Sequence, residues 1–290
     1  MEEKISKYAF KNESRIQFEL VDLESTIDKY RLILTKPHRT EFYHIFLLKD
    51  CAPIHMIDFQ SIQTQTNSLL FIDKDRVHQF DHSLNYKGYL FVFTDTFFGL
   101  NESDSHFLRT TPLFNDLTHL PYIPLTTNSI LPFSDICLSI AKEVLITDDD
   151  AQHLIIKNLL QIFLLLAQRE RSILEPSERS KGPDLHSTLL FKECLEQNYL
   201  QTKSVSAYAN LLNISVKKLA LATIKTIGKS PKEIINDRVL LEAKRLLAHS
   251  TLSAKEIGYY LGFDEPTNFI KYFRKHTLKT PLKFREAFLY

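Results

Sequence analysis

The sequence predicts an α+β chain of two domains. The N-terminal one is a strand-rich barrel or sandwich with a helical region. The C-terminal one is all-α and carries two helix-turn-helix motifs joined by a linker helix. Three observations support this. Short apolar and aromatic runs separated by polar clusters fill residues 10–125. A segment beginning at Ser204 returns at Ser253 with its cap, small and turn residues in register. Charge is also divided: residues 185–290 carry 17 Lys+Arg against 9 Asp+Glu, and residues 1–184 carry 19 against 26, so the net +1 conceals +8 and −7. Such asymmetry marks a basic partner-binding module behind an acidic one.

Composition excludes several classes. With 290 residues, 44% apolar and 24% charged, the chain reads as an ordinary soluble globular protein. The Met-Glu-Glu-Lys start is not expected to be a signal peptide, and Leu154–Ala167 is too short and polar to span a bilayer, so a cytoplasmic protein with no membrane partner is expected. Cys51, Cys137 and Cys194 form no Cys-x-x-Cys pair, which fits free thiols in a reducing compartment. Glycines are few and form no phosphate-cradling loop, and no nucleophile elbow is present. No catalytic residue, metal or cofactor is expected.

The first region, residues 1–132, holds candidate strands at Ile16–Leu20, Arg31–Leu34, Phe42–Leu48, Ile54–Phe59, Leu69–Ile72, Val77–Phe80 and Tyr89–Phe93. Turn clusters at Lys49-Asp50, Gln65-Thr66-Asn67, Asp73-Lys74-Asp75 and Ser83-Leu84-Asn85 separate them. Phe10, Phe18, Phe42, Phe46, Phe59, Phe71, Phe80, Phe91, Phe93, Phe97 and Phe98 are expected to form an aromatic interior. His38, His44, His55, His78 and His82 are metal-ligand types, but His38 and His44 lie six apart, which does not fit a His-x-His site. Residues 133–175 read as helical, with Asp135–Ile146 amphipathic and Asp148-Asp149-Asp150 opening the next helix. There Leu154, Ile155, Leu159, Ile162, Phe163 and Leu166 form a stripe that either packs within the chain or pairs with a second copy. A Pro/Ser/Gly-containing linker follows at 176–184.

The repeat lies in 185–290. An offset of 49 pairs Ser204 with Ser253, Ala209 with Gly258, Leu212 with Leu261, Asn213 with Gly262 and Ile214 with Phe263. The offset then becomes 50 and pairs Leu219 with Phe269, Thr223 with Phe273, Lys225 with Lys275 and Pro231 with Pro281. Each copy reads as a helix-turn-helix, at about 204–227 and 253–276. Ser204 and Ser253 cap a first helix, Asn213 and Gly262 take the left-handed turn, and Ser215 and Asp264 cap the second helix. Between the copies, Ser230 and Pro231 start a linker helix that reaches about His249.

Residues 186–287 resemble the DNA-binding domain of the AraC/XylS family of bacterial transcription regulators. Gly228-Lys229-Ser230-Pro231, Arg238-x5-Lys244-x2-Leu247, Glu256-Ile257-Gly258-x2-Leu261-Gly262-Phe263, Asn268-Phe269-x3-Phe273-Arg274-Lys275 and Thr280-Pro281-x3-Arg285 carry the likeness. The first half resembles that family's cupin-like sensor barrel through Pro37-His38-Arg39-x2-Phe42-Tyr43, Ile72-Asp73-x4-His78 and Gly88-Tyr89-x-Phe91-x-Phe93. Two departures stand out: Leu278 replaces the usual glycine, and Leu221, Thr223 and Ile224 replace basic or aromatic residues in the first recognition helix.

The resemblance implies a sequence-specific regulator, more an activator than a repressor. Its partners would be double-stranded DNA through the major groove, a second copy as homodimer, and RNA polymerase. Lys217, Lys218, Thr267, Asn268 and Lys271 are the expected base or groove contacts. Ser215, Lys225, Lys229, Arg274, Lys275 and Lys279 are the expected phosphate contacts. A small effector would sit in the barrel near His38, Tyr43 or His78. Two alternatives stay open: a constitutive regulator whose first domain only dimerises or binds a protein, and a cupin-type metalloenzyme with a DNA-binding tail.

Overall fold

The computed structural model describes residues 6–10, 16–83, 85–115, 122–146, 151–174 and 183–288. The chain separates into two units, one within residues 6–176 and one within 177–290.

In the first unit the described strands form two five-stranded sheets. One has the order β1–β3–β8–β5–β6, where β1 is Ser6–Tyr8, β3 His38–Thr40, β8 His78–Phe80, β5 Ile54–Ile57 and β6 Gln60–Gln63. The other has the order β10–β7–β4–β9–β2, where β10 is Tyr122–Pro124, β7 Ser68–Ile72, β4 Tyr43–Leu48, β9 Gly88–Phe93 and β2 Phe18–Asp22. No strand pairing joins the two sheets among the described residues, so the expected barrel is found as two separate sheets. The turns between strands use Asp50, Asp58, Asn67 and Asp75 at positive φ, where a short polar side chain tolerates the left-handed conformation.

The second sheet is the centre of the unit, because both of its faces are covered. All six residues of β4 are buried. Alternation along the strand sends Ile45 and Leu47 to one side and Phe46 and Leu48 to the other. Phe46, Leu48, Leu70 and Ile72 meet Ile57, Ile62, Phe80 and Tyr86 of the first sheet and its flanks. Ile45, Leu47, Phe71, Phe91 and Phe93 pack under helices α6 (Leu131–Glu143) and α7 (Gln152–Leu174), which contribute Phe133, Ile140, Leu160, Phe163 and Ala167.

The aromatic residues do not share one interior: Phe46 and Phe80 lie between the sheets, whereas Phe18, Phe71, Phe91, Phe93, Phe97 and Phe98 lie on the helical side. Arg31–Leu34 is a short helix, α2, following α1 (Leu23–Thr26); Leu32 is 80% exposed, so no sheet face claims it. Residues 95–115, read as part of the strand region, form α3 (Asp95–Phe98), α4 (Glu102–Thr110) and α5 (Pro112–Asn115), with Thr94 and Asn101 as caps of the first two. A buried ion pair, Lys157 Nζ to Asp104 at 2.7 Å, ties α7 to α4. The stripe on α7 is split: Phe163 is buried, but Leu154, Ile155 and Ile162 are 39–51% exposed. The Asp148–Asp150 cluster and most of the proposed linker lie outside the described residues; Asp184, at the linker's end, lies inside α8 (Pro183–Asn198).

Among the described residues, the regular elements of the second unit are helices. Helix α8 precedes α9 (Val205–Leu211) and α10 (Val216–Ile227), and then comes α11 (Pro231–His249). Helices α12 (Ala254–Tyr260), α13 (Pro266–Thr277) and α14 (Pro281–Glu286) complete it. Ile234, Ile235 and Val239 of α11 join one core with Phe191, Tyr208 and Leu219. Leu240, Ala243, Leu246 and Leu247 join a second with Ile257, Leu261, Phe269 and Phe273.

Three left-handed positions in this unit differ in a testable way. Gly262 has φ 74° and its missing Cβ would stand 2.0 Å from the Leu200 carbonyl oxygen, whereas Gly228 has φ 79° with open space around it. Leu278 occupies the position equivalent to Gly228 at φ 59° while 89% exposed, so its side chain gains little burial for the strained backbone. Gly262→Ala should therefore cost more than about 2 kcal/mol, Gly228→Ala about 1 kcal/mol, and Leu278→Gly should stabilise by about 1 kcal/mol. Chemical denaturation of the three variants checks the order.

Candidate nucleic-acid interface

The two helix-turn-helix copies match bond for bond. In the first, Leu212 N–H donates to Tyr208 O, Asn213 N–H to Asn210 O and Ile214 N–H to Ala209 O, at 3.0–3.1 Å. In the second, Leu261 N–H donates to Ile257 O, Gly262 N–H to Tyr259 O and Phe263 N–H to Gly258 O, at 2.9–3.0 Å. Asn213 and Gly262 both have positive φ, 53° and 74°. At the helix crossing a Cβ on Gly258 would lie 3.1 Å from the Phe269 Cβ, which accounts for the small residue there.

Caps set where each second helix begins. Ser215 accepts from Lys218 N–H at 3.1 Å and starts α10. In the second copy the expected cap Asp264 is displaced by one residue. Glu265 takes the cap position with extended backbone and no side-chain bond, because Pro266 follows and fixes the first helical φ without needing a partner for an N–H. Ser204 and Ser253 cap α9 and α12, and Ser253 completes a capping box with Glu256.

With Leu219, Ala222, Thr223, Phe269 and Phe273 turned inward, a defined face is left outside on each helix. On α10 it carries Lys217, Lys218, Leu221, Ile224 and Lys225; on α13 it carries Thr267, Asn268, Lys271, Arg274 and Lys275, all exposed. Thr223 leaves the set of departures noted in the sequence, since it is buried and its hydroxyl donates to Ala220 O at 3.2 Å. Lys225 pairs with Asp184 at 2.8 Å and Lys229 with Asp237 at 2.7 Å. Exposed pairs of this kind contribute ~0–1 kcal/mol, so a phosphate can displace them. Lys279 is exposed just beyond α13, and Ser215 keeps a hydroxyl hydrogen to donate while its oxygen caps the helix.

The faces are held by a partly buried polar frame. Arg238 of α11 bonds Glu196 at 2.8 Å and Glu242 at 3.2 Å and lies 3.9 Å over the Tyr199 ring; Arg245 shares Glu242 at 3.2 Å. The Tyr272 hydroxyl faces the Asn236 side-chain oxygen at 3.1 Å and ties α13 to α11; burial pushes its pKa up, keeping it a donor. Nothing in the local sequence marks Lys203, whose role depends on contacts that only the fold creates. From the loop before α9 its ammonium donates to Leu261 O and Gly262 O and stands 4.7 Å from the Phe263 ring centre, so the first motif's approach loop holds the second motif's turn.

The three effector candidates of the first unit do not come together. His38 and His78 meet between the sheets with ring centres 4.3 Å apart. Tyr43 precedes His44 on β4 and so points to the opposite face, where its hydroxyl donates to Asp95 at 2.9 Å beside an open cleft of about 260 Å³. The companions of His38 and His78 are His44, 4.8 Å from the His78 ring, and His55, whose Nε2 lies 3.2 Å from His78 Nδ1. His55 Nδ1 lies 3.0 Å from the Tyr86 hydroxyl, which reaches Ile54 O at 3.1 Å. All four imidazoles are buried. Burial holds each below the usual imidazole pKa, His55 down to about 3, and all four are neutral at pH 7. Among the described residues no three His, Cys, Asp or Glu side chains are arranged to hold a metal ion.

Comparison with known proteins agrees with the helical geometry. Residues 208–287 match the helix-turn-helix domain family. The transcriptional activator RhaS of Escherichia coli O157:H7 is 27% identical over 131 residues, covering 45% of this chain and 46% of the relative. That match therefore spans about half of the relative's length. RhaS of Escherichia coli O81 is 23% identical over 256 residues, 86% of this chain and 87% of the relative. Among solved structures, an AraC-type DNA-binding regulator from Chromobacterium violaceum is 22% identical, with 36% of this chain and 93% of that chain covered and a TM-score of 0.33.

The histidine cluster generates a pH prediction. Its folded pKa values lie below the ordinary value near 6.5, so the unfolded chain binds more protons under acid. The stabilisation is whole above about pH 6.5 and is lost as pH falls below it. The Tm of the N-terminal transition should drop between pH 7 and pH 5, and His78→Gln should flatten that slope. A Tm independent of pH over this range would contradict the buried neutral cluster.

Proposed function

We propose that this chain, a member of the AraC/XylS family of transcription regulators, binds duplex DNA by placing α10 and α13 in successive major grooves. The observation that carries this reading is the duplicated helix-turn-helix on one capped helix, with an exposed face on each second helix inside a segment of charge +8. Helix α11 has 19 residues, about 28 Å at 1.5 Å per residue, which suits a spacer between grooves ~34 Å apart. Asn268 supplies the paired donor and acceptor that fit adenine. Lys217, Lys218 and Lys271 can donate to guanine, and Thr267 to either purine or pyrimidine edge. Ser215, Lys225, Lys229, Arg274, Lys275 and Lys279 fix register on phosphate.

The first unit regulates this activity, and the chain activates transcription in contact with RNA polymerase as a cytoplasmic homodimer. Support for the dimer comes from apolar side chains left outside on α6 and α7: Leu131, Leu138, Leu154, Ile162 and Leu165 are 48–58% exposed. An effector bound to the first unit would act by favouring one arrangement of the chain over another. A second reading is a constitutive regulator whose first unit only dimerises. The four packed histidines favour it, since they occupy the space between the sheets where the resemblance places an effector.

The double variant Asn268→Ala with Lys271→Ala should weaken binding to a selected operator at least tenfold and leave binding to random DNA within about twofold. Gel-shift titration against both DNAs checks this; equal loss on both would mean that these residues touch only the backbone. Lys275→Ala should lower affinity on all sequences alike and reduce the slope of log K against log salt by about 1.

A further inference from the structure

The repeat allows the two recognition helices to be compared residue by residue. The offset of 50 pairs buried Leu219 with buried Phe269 and buried Thr223 with buried Phe273, so the same offset aligns the outer faces. It sets Lys217 against Thr267, Lys218 against Asn268 and Lys225 against Lys275. At the two central positions it sets Leu221 against Lys271 and Ile224 against Arg274. Leu221 is 58% exposed and Ile224 53%, on successive turns of one face. Neither belongs to a core of this unit. Where α13 presents cations, α10 presents hydrocarbon ringed by lysines.

We infer that α10 reads its groove through thymine methyl groups. The inference rests on the DNA-binding reading and specifies its chemistry. Leu221 and Ile224 can neither donate to guanine nor accept from cytosine, and the apolar group that the major groove displays is the C5-methyl of thymine. Lys225 on the same face provides attraction to phosphate, and Lys217 and Lys218 add donors to a nucleic-acid groove, a cationic surround that a protein-binding apolar face would not need. The two halves of the site are thus read by different mixtures of forces: apolar contact from Leu221 and Ile224 beside the Lys217 and Lys218 donors at α10, and hydrogen bonds from Thr267, Asn268 and Lys271 at α13.

The test uses the full chain and an operator selected from random duplexes. The half read by α13 is the one whose sequence preference relaxes in Lys271→Ala, which leaves the other half to α10. Each thymine there is replaced by deoxyuridine, which removes only the methyl group. At least one replacement should weaken binding about fourfold, the effect of one buried carbon. Leu221→Ala with Ile224→Ala should bind the thymine and deoxyuridine operators equally. Deoxyuridine in the α13 half should change affinity less than twofold. Unchanged affinity for every replacement in the α10 half would overturn the inference. So would a Leu221→Ala, Ile224→Ala variant that keeps full operator affinity but loses transcription activation, since the face would then meet protein. Selection of no preferred sequence at all would overturn the DNA-binding reading itself, and this inference with it.

Discussion

The C-terminal unit depends on one helix belonging to two cores. The first half of α11 gives Ile234, Ile235 and Val239 to the core of the first motif, and the second half gives Leu240, Ala243, Leu246 and Leu247 to that of the second. Ser230 and Glu233 form a capping box at its start, and Arg285 closes on the Leu247 carbonyl at 3.0 Å near its end. Neither motif can rotate about α11 without exposing the residues it shares with that helix. The spacing of α10 and α13 is thereby built into core packing rather than into a surface contact. Glu242 and Arg245 are buried on the same helix, with half-buried Arg238 beside them. Because Glu242 is shared by both arginines and Arg238 also reaches Glu196, the network offsets its desolvation by multiple pairing and adds orientation more than net stability.

Within that frame the two motifs are alike inside and different outside. Bonds, turns and inward residues repeat, whereas the outward residues have diverged from polar and cationic on α13 to partly apolar on α10. Such a scaffold can change its preferred DNA on one side without disturbing the other, because the exposed positions take no part in either core.

Much of the second unit was legible in the sequence, because its determinants are local. Ser204, Ser215, Ser230 and Ser253 cap where they stand in the chain, Asn213 and Gly262 turn where a left-handed residue is tolerated, and the linker helix begins at Pro231 and ends at His249. The one misplaced cap, Asp264 for Glu265, arose because Pro266 starts α13 by its ring rather than by a side-chain acceptor. The first unit was less legible. Alternation assigns the faces of β4 but cannot say which layer covers each face, so residues such as Phe71 and Phe93 read as barrel interior although they lie under α6 and α7. Arg31–Leu34 is apolar enough for a strand, yet no partner edge takes it up. The meeting of His38, His44, His55 and His78 depends on strand order β3–β8–β5 and on the facing of two sheets, neither of which spacing along the chain reveals.

The central claim, a fixed spacing between two groove-reading helices set by α11, is tested most directly by moving the two halves of the selected operator apart. Inserting five base pairs between them turns one half about 180° around the duplex and shifts it ~17 Å. The account predicts that affinity falls to the level of random DNA, with either half alone binding no better. Retention of full affinity after the insertion would contradict it, since the two motifs would then have to move independently.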